Sequence, residues 1–127
     1  MRALAVVAED ASVILLHENE KEIYGDIPRR CHDIVTSVDS PNLKLAWDPA
    51  NFVQVGVRPF TEGYSLLRSH VEYVQIKDAL DSDGSVVVAG AGDGELTETV
   101  RALREDGFDG FFSLCLLYTS PSPRDRS

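Results

Sequence analysis

Basic residues are scarce in this chain of 127 residues. It has 12 lysines and arginines against 21 aspartates and glutamates, so its formal net charge is -9. Proteins that bind nucleic acid ordinarily present a basic surface that neutralises phosphates and releases counterions. The acidic excess therefore argues against nucleic acid as a partner.

Cysteine is scarce as well. The chain has two, Cys31 and Cys115, which is too few for the disulfide framework that holds small secreted domains together. We expect both to be reduced thiols, so the fold must be stabilised by a hydrophobic core.

Long hydrophobic runs are absent. No stretch approaches the roughly 18 apolar residues of a membrane-spanning helix, so we expect no contact with a membrane. The N-terminal region is interrupted by Glu9 and Asp10 and lacks the cleavage site of a secretion signal. With 43% hydrophobic and 26% charged residues, the composition predicts one soluble, cytoplasmic domain.

Both ends of the chain are unusual. The helical pattern over residues 2–8 has no capping residue before it, so we expect the chain to begin inside an element. At the other end, CLLYTSPSPRD (115–125) resembles the translation of a common sequencing-library adapter. We therefore expect a domain over residues 1–114 and a disordered, artefactual tail over residues 115–127. The alternative is a natural tail rich in serine and proline.

Short apolar runs alternate with helical periods within residues 1–114. The candidate strands are residues 13–16, 43–47, 71–76 and 110–114. The candidate helices between them are residues 27–38, 60–67 and 96–103. Four such units predict an α/β fold, either a small doubly wound sheet or about half of a (β/α)8 barrel.

Polar residues stand at the ends of three of these strands. Glu18 follows the first, Asp48 follows the second, and Gln75 lies near the end of the third. The carboxyl ends of parallel strands share one edge of a sheet, so two carboxylates and an amide there predict a site for a hard cation. The alternative is a set of solvated loop residues, with Lys77 and Asp78 forming a surface ion pair.

Four segments together resemble a known family by their order and spacing. They are LLHENEKEIYGD (15–26), NLKLAWDPANF (42–52), VEYVQIKDA (71–79) and GAGDGELTETVRALREDGFDGFFSL (90–114). The family is the sugar phosphate isomerases/epimerases with a xylose isomerase-like TIM barrel. The resemblance implies that residues 1–114 form the C-terminal half of a (β/α)8 TIM barrel, an incomplete barrel of about four βα units.

The resemblance also implies roles for individual residues. Glu18 would be a metal ligand and one of two acid/base carboxylates, and Asp48 would be a second ligand. Gln75 stands where most members have a ligating histidine, and its amide oxygen would coordinate a divalent cation such as Mn2+ or Mg2+. Asn51 and Lys77 would lie near substrate oxygens or directly behind the metal ligands.

One implied ligand is missing from the sequence. Cys115 stands where family members have the second catalytic glutamate, and a soft thiol does not replace a carboxylate for a hard cation. His17 alternates with Glu18 along the strand, so we expect it to point to the other face and to be packed structurally.

The implied reaction is proton transfer next to the carbonyl of a small sugar or sugar-phosphate-like substrate, through an enediolate. Without the second glutamate and the first four βα units, we expect this chain alone to be inactive. The alternatives are an inosose-type dehydratase, which is a lyase, and a non-catalytic α/β binding module. A DNA-repair nuclease on the same fold is disfavoured, because no histidine stands at the three ligand positions. We also expect self-association through the open sheet edges.

Overall fold

The computed structural model describes residues 1–114, and their central feature is a parallel sheet with helices packed against it. The expected tail, residues 115–127 with Cys115, lies outside the described residues. None of the helices in the described part is long and apolar enough to cross a membrane.

Six strands form two sheets within residues 1–114. Their bounds are β1 Leu15–Glu18, β2 Leu43–Trp47, β3 Val71–Ile76, β4 Asp78–Ala79, β5 Val86–Val87 and β6 Phe111–Leu114. The main sheet is parallel and has the order β1-β2-β3-β6, while β4 and β5 form a short antiparallel hairpin. The sequence pattern did not predict this hairpin.

In the described part of the chain, five α-helices connect or precede the strands. Their bounds are α1 Arg2–Ala11, α2 Pro28–Val38, α3 Pro49–Gln54, α4 Tyr64–Leu67 and α5 Leu96–Glu105. A π-helical turn, Pro59–Gly63, leads into α4, and a 3-10 turn, Arg68–His70, follows it. The short helix α3 lies where the sequence indicated only a polar strand end.

The first strand begins two residues later than the apolar run indicated. The backbone N–H of Val13 donates to the carbonyl of Ala8, so this residue closes the C-terminus of α1 instead of pairing in the sheet. Pairing with the chain before β2 starts at Leu15, whose N–H donates to the carbonyl of Asn42 at 2.7 Å. The predicted strand over residues 13–16 is therefore wrong by two residues, and Glu18 belongs to β1.

The two faces of the main sheet have different surroundings. One face carries Leu43, Trp47 and Val74, which are buried in the core with residues of α2, α3, α4 and α5. No helix of residues 1–114 covers the opposite, open face, and Leu16 and Phe111 on it keep 38% and 67% of their surface exposed. The helices therefore cover one face of the sheet.

The strand order decides between the two architectures that the sequence left open. Each new strand of the main sheet adds to the same side as the chain proceeds, and the core lies on one face. A doubly wound sheet reverses direction and has helices on both faces, whereas a (β/α)8 barrel winds in one direction with its helices outside. The described residues therefore form part of a (β/α)8 barrel.

Candidate functional site

The candidate site lies at the carboxyl ends of β1, β2 and β3. Glu18 is the last residue of β1, and Gln75 lies one residue before the end of β3. The Gln75 Nε2 donates to the Glu18 Oε1 at 3.2 Å, although the two residues are 57 positions apart. Ala46 lies between them on β2, opposite Glu18 in the register. Its short side chain leaves the space in which the two longer ones meet.

A buried asparagine fixes the backbone of Asp48, directly after β2. The Asn19 Oδ1 accepts from the N–H of Asp48 at 2.9 Å, and the Asn19 Nδ2 donates to the Asp48 carbonyl at 2.8 Å. The Asn51 Nδ2 then donates to the Asn19 carbonyl at 2.9 Å. All three residues are buried. The loop after β1 is thereby tied to the start of α3.

Sequence reasoning assigned no role to Asn19. The available signal was its place directly after Glu18 in a strand-end motif, but the partner it binds is 29 positions away. Asn51, in contrast, was expected to contact substrate or to lie directly behind the metal ligands. Its side-chain nitrogen is engaged with Asn19, so its substrate contact stays a prediction.

The Asp48 carboxylate is almost fully enclosed. Its Oδ1 accepts from the N–H of Asn51 at 3.0 Å and so caps α3, and its Oδ2 lies 3.5 Å from the Nζ of Lys77. Burial raises the pKa of Asp48, and the Asn51 N–H and the Lys77 ammonium oppose that rise. Lys77 is the cation that compensates this buried carboxylate.

Glu18 is more accessible than Asp48, and its electrostatic environment differs. Burial raises the pKa of Glu18, with the negative charges of Asp48 and Glu20 acting in the same direction. The hydrogen bond from Gln75 and the charge of Lys77 oppose the shift. A carboxyl group with a raised pKa in an accessible position is a candidate for accepting and returning a proton.

Lys77 and Asp78 do not form the surface ion pair that was one interpretation of the sequence, and that alternative is wrong. Lys77 pairs with Asp48 instead, and Asp78 is 1% exposed. The Asp78 carboxylate accepts backbone N–H groups within 3.0 Å from four residues, which are Ala79, Gly90, Gly92 and Gly94. Asp78 therefore holds the glycine-rich turn before α5 against the end of β3.

The glycines of this turn are required by close approach. A Cβ at Gly92 would lie 2.6 Å from the Asp78 Oδ1, and one at Gly94 would lie 2.7 Å from the same atom. Larger residues at either position would push the turn away from the carboxylate. In the sequence these glycines stood out as part of the family-like segment over residues 90–114, and nothing there indicated Asp78 as their partner.

His17 lies on the face opposite Glu18, as strand alternation predicts. Its ring packs so closely against Gly25 that a Cβ there would clash with it. Burial lowers the pKa of His17, so the ring favours its neutral form. The structure thus places this histidine in the packing of the loop after β1 and away from the site.

The donor atoms at the site suit a hard cation. No group of three or more histidines, cysteines, aspartates and glutamates that could hold a metal occurs within residues 1–114. The candidate ligands are instead two carboxylates, Glu18 and Asp48, and the amide of Gln75. A half-turn of that amide would present its oxygen to the same space. Three oxygen ligands completed by water fit Mg2+ or Mn2+ better than a soft metal.

The direction of winding is that of a (β/α)8 barrel, with polar residues at the carboxyl ends of its strands. A comparison of the sequence with protein families agrees, since the family described as xylose isomerase-like TIM barrel matches residues 1–126. The chain belongs to this family.

Individual relatives have related activities. The chain is 29% identical over 104 residues to a 2-epi-5-epi-valiolone 7-phosphate 2-epimerase of an Actinoplanes species, a match over 82% of this chain and 37% of the relative. A solved D-tagatose 3-epimerase-like protein superposes with a TM-score of 0.74 at 24% identity, over 87% of this chain and 43% of that one.

A third relative has a different reaction in its name. The probable 3-DHS dehydratase AsbF of Bacillus anthracis superposes with a TM-score of 0.76 at 19% identity, over 90% of this chain and 47% of that one. The likeness to both solved proteins shows the fold. In each of the three comparisons, the chain spans less than half of the relative's length.

Proposed function

We propose that this chain carries one side of the active site of a divalent-metal-dependent sugar or sugar phosphate isomerase/epimerase. The main support is the hydrogen bond between Gln75 and Glu18 over Ala46, with the buried Asp48 directly after the strand that carries Ala46. Family membership and the epimerase relatives support the reaction class.

The roles follow from the surroundings of each group. Glu18, Asp48 and Gln75 would hold the cation, which as a Lewis acid would polarise the substrate carbonyl and favour loss of the neighbouring proton. Glu18 would remove or return that proton, since its partly exposed carboxylate lies beside the other proposed ligands on the open face of the sheet. Positioned acid/base groups typically contribute about 10²–10⁴-fold to a rate.

Lys77 would have two roles in this proposal. It compensates the charge of Asp48 across 3.5 Å, and its side chain keeps 19% of its surface exposed. An ammonium group with three donors can also hydrogen-bond a substrate hydroxyl or phosphate oxygen. The sugar-like substrate class is proposed from the names of the relatives, one of which acts on a 7-phosphate.

We propose that the chain by itself is inactive. Proton transfer between two faces of a carbon needs a second carboxylate opposite Glu18, and the sequence has Cys115 at the position where the family resemblance would place it. Assayed with a ketose and Mn2+, the 127-residue chain should give no more isomerisation than its Glu18→Gln variant.

Calorimetric titration of the purified chain with Mn2+ tests the site directly. The wild type should bind the ion, and Glu18→Gln and Asp48→Asn should each weaken binding by more than about tenfold, because each removes a charged ligand. Glu20→Gln is the matched control, since it removes a neighbouring carboxylate that is exposed and is not a proposed ligand. Its affinity should stay close to that of the wild type.

Two results would contradict the proposal. The first is the absence of Mn2+ binding by the wild type, and the second is equal binding by the wild type and both ligand variants. Either would favour the non-catalytic binding module, in which Glu18 and Asp48 are ordinary polar residues at the rim of the sheet.

A dehydratase is the second candidate, because one solved protein of the same fold is named a probable 3-DHS dehydratase. Both reactions begin with removal of a proton next to a carbonyl, so Glu18 would have the same first role in each. They differ in the next step, since a lyase expels water and an epimerase returns the proton. Active protein would distinguish them by whether the product has lost the mass of one water.

A further inference from the structure

Three buried polar residues at the rim of the sheet form a closed circuit of hydrogen bonds. The Asn19 side chain bonds to the backbone of Asp48, the Asp48 side chain accepts from the N–H of Asn51, and the Asn51 side chain donates to the carbonyl of Asn19. The four bonds measure 2.8–3.0 Å, and the three residues keep between 1% and 4% of their surface exposed. Each side chain therefore fixes the backbone of the next residue in the circuit.

The circuit lies where β1 ends. Glu18, the last residue of β1, is opposite Ala46 of β2 in the register. An amide side chain has the same donor and acceptor groups as a peptide unit. The Asn19 side chain uses both on Asp48, since it accepts from the N–H and donates to the carbonyl. It thereby extends the contact between the two strands beyond the end of their backbone pairing.

Asn19 adjoins one carboxylate of the proposed site and bonds to the residue that carries the other. Burial raises the pKa of Glu18, and the negative charge of Asp48 adds to that rise, so the two carboxylates repel each other. Bonds to the backbone of Asp48 hold this residue in place whatever its charge. The cap of α3 engages Oδ1, which leaves Oδ2, 3.5 Å from the Lys77 Nζ, as the oxygen to bind a cation.

We propose that Asn19 is a positioning residue, which through the circuit fixes the Asp48 carboxylate at the distance from Glu18 that one divalent cation requires. The inference rests on the proposed function, because it needs Glu18 and Asp48 to bind the same ion. Removing the groups that orient metal ligands typically costs about 10–100-fold in metal affinity. For Asn51, whose side-chain nitrogen bonds to Asn19, the circuit favours a place behind the ligands over a contact with substrate.

Calorimetric titration of the full 127-residue chain tests the inference, with Mn2+ alone as the probe. Asn19→Ala should bind Mn2+ about tenfold more weakly than the wild type, because it removes both bonds to the Asp48 backbone. Asn42→Ala is the matched control. The Asn42 side chain also donates to a distant backbone carbonyl, that of Val13 at 2.8 Å, but it lies just before β2, at the opposite end of the sheet. Its Mn2+ affinity should equal that of the wild type.

A double variant distinguishes positioning from a general structural role. If Asn19 acts through Asp48, its loss should matter little once the charge of Asp48 is gone. Asn19→Ala/Asp48→Asn should therefore bind Mn2+ about as weakly as Asp48→Asn alone. Independent roles would instead make the two free-energy changes add, and additive losses would overturn the inference.

Asn51→Ala provides a second test, which also serves if Asn19→Ala does not fold. It removes the bond from the Asn51 Nδ2 to the Asn19 carbonyl and leaves the backbone cap of Asp48 intact. It should weaken Mn2+ binding by a smaller factor than Asn19→Ala, whereas the loss of a mere substrate contact would leave that binding unchanged. Wild-type Mn2+ affinity in Asn51→Ala, or in a folded Asn19→Ala, would overturn this inference alone. Absence of Mn2+ binding by the wild type would overturn the proposed function as well.

Discussion

The two faces of the main sheet are made by alternate residues of the same strands, yet their surroundings are opposite. Val74 on β3 is completely buried under the helices, while its neighbour Gln75 reaches Glu18 on the open face. The covered face provides the apolar burial that stabilises the fold. The open face carries Glu18 and Gln75, the residues of the proposed site. Because side chains alternate along a strand, core residues and site residues are one position apart.

The rim of the sheet differs from both faces. Its buried residues are polar, and they include Asn19, Asp48 and Asp78, each held by backbone hydrogen bonds. Hydrogen-bonded polar groups in a buried position fix geometry, because leaving any one of them unpaired is costly. These hydrogen bonds therefore fix the positions of the site residues at the rim. The helix-covered core in turn stabilises the strands that end there.

The largest expected effect comes from the covered face. Leu43→Ala should lower the free energy of unfolding by about 2–5 kcal/mol, because it opens a cavity among buried residues. Leu16→Ala removes the same atoms from the open face and should cost about 0.5 kcal/mol or less in the monomer. Urea denaturation of dilute protein measures both. Equal losses would show that the open face is as well packed as the covered one.

The rim should give the next largest effect. Asp78→Ala leaves the N–H of Ala79 and three N–H groups of the glycine-rich turn without their acceptor, which should cost about 3 kcal/mol. Asp83→Ala is the control, since this aspartate is exposed. Hydrogen exchange should accelerate at Gly90, Gly92 and Gly94 in the first variant alone. Unchanged exchange there would mean that Asp78 does not hold the turn.

The smallest effect is expected on the outside of the helical layer, where it depends on pH. The Tyr64 hydroxyl donates to Asp106, and this bond, followed by the nearby Arg68, lowers the pKa of Asp106 below its ordinary value. A lowered pKa in the folded state stabilises the protein above the unfolded-state value of about 3.9. The stabilisation is lost as pH falls through the folded-state pKa.

Asp106→Asn should accordingly be less stable than the wild type near neutral pH. The difference between the two proteins should shrink as the pH is lowered below about 3.9, where the wild-type carboxylate also becomes protonated. Urea denaturation across a pH series measures this difference. A difference that stays constant down to the lowest pH would exclude the charge of Asp106 as its cause.

Much of the secondary structure could be predicted from local patterns. The strands over residues 43–47 and 71–76 are confirmed with the same bounds, because apolar runs between turns mark buried strands. The helix α3 was missed, since its six residues are too few to show a period, and it begins at the cap made by Asp48 and Asn51. Strand β1 begins two residues later than predicted, because the N–H of Val13 bonds to the carbonyl of Ala8 at the end of α1.

Strand-end position indicated the residues of the candidate site, but not the contacts between them. Strand-end position was enough to indicate Glu18, Asp48 and Gln75. It could not show that Gln75 bonds to Glu18, because this requires the register of three strands and a small residue on the middle one. The Asn19 clamp on Asp48 was missed for the same reason.

The sequence by itself determined the acidic charge, the alternation of strands and helices, and the polar residues at the strand ends. These depend on composition and on neighbours a few positions apart. Only the tertiary structure decided that the sheet winds in one direction, that Lys77 pairs with Asp48 instead of Asp78, and that one face stays open. The reason is physical: these features depend on register and helix packing between segments about thirty or more residues apart, and short-range periodicity carries no information about either.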